Sequence, residues 1–244
     1  MVVNDLPLYR YISFDRFIQI LFSQELVLIH PSKWDDAYEL YWKHYFETQE
    51  GRSQLDAYVK KFEGDERKNA EAAINLCRFK YDHAYCLCFS RVKDAEVLWN
   101  ARSDNKRGIM FATTRSKIYD LFPEEEDVII KEVQYDLEST KPEDFLCHFQ
   151  FSSIGALQKD PDDLLLHKRK IFSYEEEVRL ILSPAEKPKD EMLKYQIPVL
   201  GDFINGVMVH PLASDEYVSL ISLLCEHFCI PFWGKSEVYS FKPL

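Results

Sequence analysis

The sequence predicts an α+β domain with a mixed central sheet and helices inserted between its strands. Its 244 residues are 46% hydrophobic and 14% aromatic, which is enough apolar material for a core. Strand-like and helical segments follow one another without the regular β-α-β order of a doubly wound sheet. Because no Pro-, Gly- or Ser-rich linker marks a boundary, residues 1–244 are predicted to form a single domain, with a helical insertion at about residues 34–82.

In the first half of the chain, short strands surround this helical block. Strand-like runs occupy residues 8–11, 26–29, 84–89 and 108–112. Ser13 is placed to cap a helix whose apolar side chains recur at helical spacing as far as Phe22. Gly51 and Gly64 are the expected breaks in the insertion, so two or three helices are predicted there.

The second half also mixes strands and helices. Strands are predicted at residues 128–135, 178–182, 204–210, 229–233 and 237–241. Residues 142–170 are predicted to be largely helical, with a break at Gly155 or Pro161. Ser214 is predicted to cap an amphipathic helix that ends near Phe228.

The net charge of -11 argues against nonspecific binding of duplex nucleic acid through overall charge. Two basic clusters, within residues 102–107 and 168–170, are predicted to be solvated surface charge. Trp99 lies just before the first of these polar runs and is predicted to be buried. The N-terminus does not resemble a signal peptide and no apolar run has membrane-spanning length, so we expect a cytoplasmic protein without membrane contact.

The six cysteines are predicted to be free thiols without a disulfide or a metal, because no C-x-x-C pair occurs. Nucleotide-binding glycine motifs, G-x-S-x-G and H-E-x-x-H are also missing from the sequence. The acidic turn formed by Asp35, Asp36 and Glu39 is interpreted as a capped helix start, with a magnesium site as the alternative.

Four segments resemble the prokaryotic family catalogued as domain of unknown function 2971. The first is Leu8-Tyr9-Arg10-Tyr11 with Trp34-Asp35-Asp36-Ala37-Tyr38-Glu39, and the second is Cys88-Phe89-Ser90 with Leu98-Trp99 and Gly108. The third is Lys168 with Phe172-Ser173-Tyr174-Glu175-Glu176-Glu177-Val178-Arg179. The fourth is a closing strand-helix-strand unit. The third is the most specific match. Arg102 departs from the pattern, because the family usually has Tyr there.

More distantly, the chain resembles ADP-ribosyltransferases of the Arg-Ser-Glu type. Arg10, Ser90, and Glu175 with Glu177 follow one another in the order of that motif. The resemblance implies an ADP-ribosyltransferase-like fold and an enzyme that cleaves the nicotinamide-ribose bond of NAD without a metal. It also implies a toxin or antiviral effector with a protein or nucleic-acid acceptor and a regulatory or antitoxin protein partner.

The resemblance makes Glu177 and Glu175 the expected catalytic residues. Strand alternation predicts Glu175, Glu177 and Arg179 on one face and Glu176 on the other. Arg179 would then keep both carboxylates ionised, and the two carboxylates would hold a ribose hydroxyl and stabilise the developing ribose cation.

The expected NAD-binding residues are Arg10, Tyr11, Ser90, Tyr174 and Arg179. Arg10 would contact the pyrophosphate or a ribose hydroxyl, Ser90 would support the ribose-binding strand, and Tyr9, Tyr11 or Tyr174 would stack on nicotinamide.

Each assignment has a structural alternative. The charges at residues 175–179 would form only an ion-pair ladder, Arg10 would pair with Asp36 or Glu39, and Ser90 would only end a strand. The alternative function is a catalytically inert module that binds a nucleotide or a protein.

Overall fold

The computed structural model describes residues 5–102, 106–123, 126–146, 161–186, 188 and 190–240. Within these residues nine strands form one mixed sheet, which confirms the predicted α+β class. The strands are β1 (Pro7–Ile12), β2 (Glu25–Ile29), β3 (Tyr85–Ser90), β4 (Ile109–Thr114), β5 (Val128–Glu132), β6 (Glu177–Leu182), β7 (Met192–Gln196), β8 (Gly206–Val209) and β9 (Phe232–Lys235).

Helices connect these strands, and the longest of them lies in the predicted insertion. The α-helices are α1 (Phe14–Ser23), α2 (Tyr41–Glu47), α3 (Gln49–Val59), α4 (Gly64–His83), α5 (Glu96–Arg102), α6 (Arg115–Tyr119), α7 (Pro142–Leu146), α8 (Leu200–Phe203) and α9 (Asp215–His227). Short 3-10 helices span Pro31–Lys33, Ala37–Leu40, Pro161–Leu165 and Lys170–Glu175. As predicted, Ser13 and Ser214 cap α1 and α9 by accepting backbone N–H groups.

The sheet has the strand order β5-β6-β3-β1-β4-β8-β9, and β2 joins β3 to β7. Strand β6 pairs with one edge of β3 along its whole length. The opposite edge of β3 is shared, because β1 meets it at the Tyr9–Ser90 pair and β2 meets it at the Ile29–Cys86 pair. Between these two pairs, at residues 87–89, the sheet is split.

Alternating side chains place apolar clusters on both faces of the sheet, three in all among the described residues. Leu87 and Leu180 belong to the cluster under α1 and α9, whereas Cys86 and Ile181 belong to the cluster under the helical insertion. Trp99 is 1% exposed, as predicted, and packs edge-on against Tyr11 with ring centroids 5.0 Å apart. In the part of the chain that the structure describes, no helix has both the length and the apolar character needed to cross a membrane.

Several local predictions are wrong. Strand β7 was not predicted, and residues 238–240 form a turn where a strand was expected. The described part of 142–170 contains only α7 and one-turn 3-10 segments, and Gly155 lies outside the described residues. Gly51 does not break a helix but lies in the first turn of α3, which Thr48 caps.

Candidate functional site

A cavity of about 480 Å³ lies where the sheet is split. Its walls come from β1, β2 and β3, from α1, and from the turn that begins at Trp34. Five predicted site residues line it together: Arg10, Tyr11, Ser90, Glu175 and Glu177. Its volume is within the range of ordinary small-molecule sites.

Glu177 is the first residue of β6 and is 4% exposed. Both of its carboxylate oxygens are held, because Arg179 Nε donates to Oε1 at 2.9 Å and Lys168 Nζ donates to Oε2 at 2.8 Å. Burial alone would raise the pKa of Glu177, but the charges of Arg179 and Lys168 outweigh burial and lower this pKa to about 2. Glu177 is therefore a fixed, ionised carboxylate at neutral pH.

Glu175 is not on the strand, so the predicted alternation is wrong for this residue. It ends the 3-10 helix Lys170–Glu175, and Glu176 then adopts a left-handed conformation with φ of 39° that turns the chain into β6. The Glu175 carboxylate still lies beside that of Glu177, because both accept from Lys168, with 2.6 Å between Lys168 Nζ and Glu175 Oε2. Glu176 is exposed.

The prediction of solvated charge at Lys168 is also wrong. Lys168 is 3% exposed, and its Nζ lies 2.6 Å from Glu175, 2.8 Å from Glu177 and 3.4 Å from Glu39. Burial lowers the pKa of Lys168, but the surrounding carboxylates raise it well above its usual range. A sequence signal was present, because Lys168 opens the most specific of the four matching segments.

Arg179 lies behind the cavity wall and is fully buried. It pairs with Glu39 at 2.6 Å and Glu177 at 2.8 Å, and its guanidinium lies 4.3 Å from the ring centre of Trp34. It also donates to the backbone carbonyl of Leu165. This position suits a residue that orients Glu177, whereas the sequence predicted an NAD contact.

Arg10 extends from β1 into the split and donates to the backbone carbonyl of Cys88. Its guanidinium lies 5.9 Å from the ring centre of Phe89. Of the partners proposed for it in the structural alternative, Asp36 pairs with Arg169 at 3.0 Å, and Glu39 pairs with Arg179 and Lys168. Arg10 is half-buried on the cavity wall, where a ligand can reach it.

The remaining predicted residues have different surroundings. The Ser90 hydroxyl donates to the Glu175 backbone carbonyl at 2.6 Å, so Ser90 fixes the chain that carries Glu175. The Tyr11 hydroxyl donates to the Lys93 carbonyl at 2.8 Å, and burial raises the pKa of Tyr11. Tyr174 is 37% exposed and is not among the described residues that line the cavity.

The acidic turn is largely neutralised by ion pairs. Asp36 and Glu39 both have cationic partners, and Asp36 also accepts the backbone N–H of Tyr38 at the start of the 3-10 helix Ala37–Leu40. Among the described residues, no three His, Cys, Asp or Glu side chains are grouped as metal ligands. Five of the cysteines are described and none of these five is in a disulfide, and Cys147 lies outside the described part.

No family model matches the chain, and no curated protein matches it. Three solved structures of Thermus sp. 2.9 DarT resemble it, in complex with ADP-ribosylated ssDNA, with NAD+ and with carba-NAD+. Their sequence identities are 10%, 9% and 10%, and their TM-scores are 0.39, 0.39 and 0.38. Each alignment covers at least 93% of both chains. Structural similarity at these sequence identities and TM-scores assigns neither a family nor a function to the chain. The site is therefore interpreted from its own geometry.

Proposed function

We propose that this protein consumes NAD and transfers ADP-ribose, and that the cavity in the split sheet is its NAD site. One observation carries the proposal. Glu177, a buried carboxylate that two cations hold ionised, lines the same cavity as Arg10. An immobilised negative charge beside a cationic anion-binding group suits a substrate with a cationic reacting end and a pyrophosphate.

The reaction breaks the bond between the nicotinamide nitrogen and the ribose carbon, and the bonding electrons leave with nicotinamide. Positive charge then develops on the ribose, as it does in glycoside hydrolysis. A nucleophile of the acceptor supplies an electron pair to the same carbon and releases its proton to water. Glu177 would stabilise the positive charge without having to reorganise, because Arg179 and Lys168 already fix it in place.

The low pKa of Glu177 limits its role. With a pKa of about 2 it neither donates nor removes a proton effectively at neutral pH. Arg179 contacts Oε1 through Nε and Nη2, Lys168 donates to Oε2, and the Cys88 thiol is also hydrogen-bonded to the carboxylate. A ribose hydroxyl would bind by displacing this thiol, which is a weak donor. Glu177 would thus act through charge and hydrogen bonding, and Glu175 would face the acceptor.

Arg10 would bind the pyrophosphate, and the rings of Tyr9 and Tyr11 would contact nicotinamide. All three residues line the cavity. Ser90 would contribute through the backbone of Glu175, to which its hydroxyl is bonded. The proposal also includes a toxin or antiviral role in the cytoplasm. It further includes a protein or nucleic-acid acceptor and an inhibitory protein partner.

The direct test is incubation of the purified protein with NAD, alone and with cell extract, while free nicotinamide is measured. We expect release in at least one condition, because water or a cellular acceptor completes the transfer. Growth of a host that expresses the wild-type chain or Glu177→Gln would test the toxin role, and only the wild type should impair growth.

The substitution Arg10→Ala tests whether Arg10 binds the pyrophosphate of NAD. NAD affinity measured by calorimetry should fall about tenfold or more, because a charge-assisted contact is lost. Arg67→Ala is the matched control, since Arg67 lies on α4 outside the cavity and pairs with Glu71. An unchanged dissociation constant together with a lower melting temperature would assign Arg10 to the structural framework.

A binding module without catalysis is the second candidate, and one observation favours it. Both oxygens of Glu177 already have cationic partners, which is also how a structural ion-pair network looks. Saturable NAD binding without nicotinamide release, with or without extract, would support this candidate over the transferase.

A further inference from the structure

Cys88 lies in the middle of the split, on the stretch of β3 between the pairs that this strand forms with β1 and β2. Five of the six residues of β3 are buried, whereas Cys88 is half-buried and lines the cavity. Solvent therefore reaches β3 at the residue where the sheet is open. A ligand in the cavity would meet the strand at the same point.

Cys88 contacts both groups that are proposed to hold NAD. Its backbone carbonyl accepts from Arg10, and its thiol donates a hydrogen bond to the Glu177 carboxylate. Burial raises the pKa of the Cys88 thiol to about 12, and the negative charge of Glu177 acts in the same direction. The thiol is therefore protonated at neutral pH and keeps a proton to donate.

The three donors at the Glu177 carboxylate differ in strength. Arg179 and Lys168 are cations that donate over 2.9 Å and 2.8 Å. Hydrogen bonds from charged donors are about twice as strong as those from neutral donors, and a thiol is a weak donor even among neutral groups. The thiol is thus the partner that a ligand hydroxyl can replace at the lowest cost, and the hydroxyl forms the stronger bond.

We propose that the donor strength of residue 88 sets the affinity of the cavity for NAD. In the free protein the thiol occupies the position on Glu177 that a ribose hydroxyl takes in the complex. This inference rests on the proposed NAD site and makes Cys88 a positioning residue, because it acts through Glu177. A stronger donor at residue 88 would compete with the ribose, and a side chain without a donor would not compete.

Calorimetry of NAD binding to the whole protein tests the proposal with two substitutions of opposite effect. Cys88→Ser replaces the thiol by a stronger donor and should weaken NAD binding about tenfold. Cys88→Ala removes the donor and should make NAD binding tighter than in the wild type. A residue that only fills the wall would give the opposite result for Cys88→Ala, because truncation removes contacts.

Cys225→Ala is the matched control. Burial also raises the pKa of the Cys225 thiol to about 12, but Cys225 lies on α9 outside the cavity. Its substitution should leave NAD affinity unchanged. The proposal is overturned if Cys88→Ala binds NAD no more tightly than the wild type, or if Cys88→Ser binds NAD no more weakly.

The S–H stretching band in the infrared follows the displacement in the wild-type protein without any substitution. NAD-bound minus free spectra should show one thiol band moving to the higher frequency of a thiol that has lost its acceptor. Cys225→Ala should keep this difference band, and Cys88→Ser should lack it. If the wild type does not bind NAD in calorimetry, the NAD site is wrong and this inference falls with it. If NAD binds and no thiol band moves, only the role of Cys88 is wrong.

Discussion

The two halves of β6 differ sharply, although all six of its residues are buried. The first half carries the charges of Glu177 and Arg179, whereas the second half is Leu180, Ile181 and Leu182. Both halves pair with β3 and β5 in continuous antiparallel register. Because the second half forms the same sheet with apolar side chains alone, the strand itself does not require buried charge at its start.

Buried ion pairs contribute little to stability compared with apolar side chains of similar volume. Each charge at the start of β6 nevertheless has partners: three carboxylates, Glu39, Glu175 and Glu177, surround two cations, Lys168 and Arg179. The group therefore has one more carboxylate than cation, and all three of its carboxylates line the cavity that Arg10 also lines. The buried charges at the start of β6 are therefore better explained by a role in ligand binding than by a contribution to folding stability.

The largest expected effect on stability is that of Arg179→Met. The substitution removes the fully buried cation that contacts Glu39 and Glu177 and leaves Lys168 alone to neutralise these carboxylates, so the free energy of unfolding should fall by about 3–5 kcal/mol. Urea denaturation measures this loss. Arg169→Met, which removes a partly exposed pair with Asp36, should cost much less. Equal losses would mean that burial of the pair makes no difference.

The pH dependence of stability is the second prediction. The pKa of Glu177 is about 2 in the folded protein and 4.5 for an unperturbed side chain. A carboxyl with a depressed pKa stabilises the fold above pH 4.5, and this contribution is lost as the pH falls toward 2. The difference amounts to about 3 kcal/mol. Urea titrations across this window should show a shallower dependence for Glu177→Gln, and identical slopes would refute the assigned pKa.

A smaller effect is expected at Ser90, which connects β3 to the turn before β6. Ser90→Ala removes the hydrogen bond to the Glu175 carbonyl and the one that the Val92 N–H donates, so about 1–2 kcal/mol of stability should be lost. Thermal unfolding measures the change. Ser173→Ala is the control, because Ser173 is exposed in the preceding 3-10 helix and should have almost no effect.

Local sequence signals predicted the elements with clear patterns. Ser13 and Ser214 precede apolar side chains at helical spacing, and both cap helices in the structure. Strand β7 lacked such a signal, because its residues alternate only between exposed and half-buried positions and its stability comes from pairing with β2.

The site was harder to predict, because its partners come from distant parts of the chain. Glu39 lies 140 residues before Arg179, and no local pattern predicts their contact. A local prediction also failed, because strand alternation placed Glu175 on the strand. The left-handed backbone of Glu176, which is uncommon for a residue other than glycine, removes Glu175 from it. Lys168 was missed because a lysine beside Arg169 and Lys170 is normally solvated.

Nicotinamide release by Glu177→Gln and Glu176→Gln tests the central claim most directly. The two neighbours are chemically identical, but Glu177 is buried in the cavity wall and Glu176 is exposed. Glu177→Gln still leaves two carboxylates, Glu39 and Glu175, with the two cations, so the variant should remain folded, as circular dichroism can verify. We predict that Glu177→Gln lowers turnover by about two orders of magnitude or more, and that Glu176→Gln leaves it nearly unchanged. Wild-type turnover in a folded Glu177→Gln variant would contradict the account and assign the carboxylate to a structural ion-pair network.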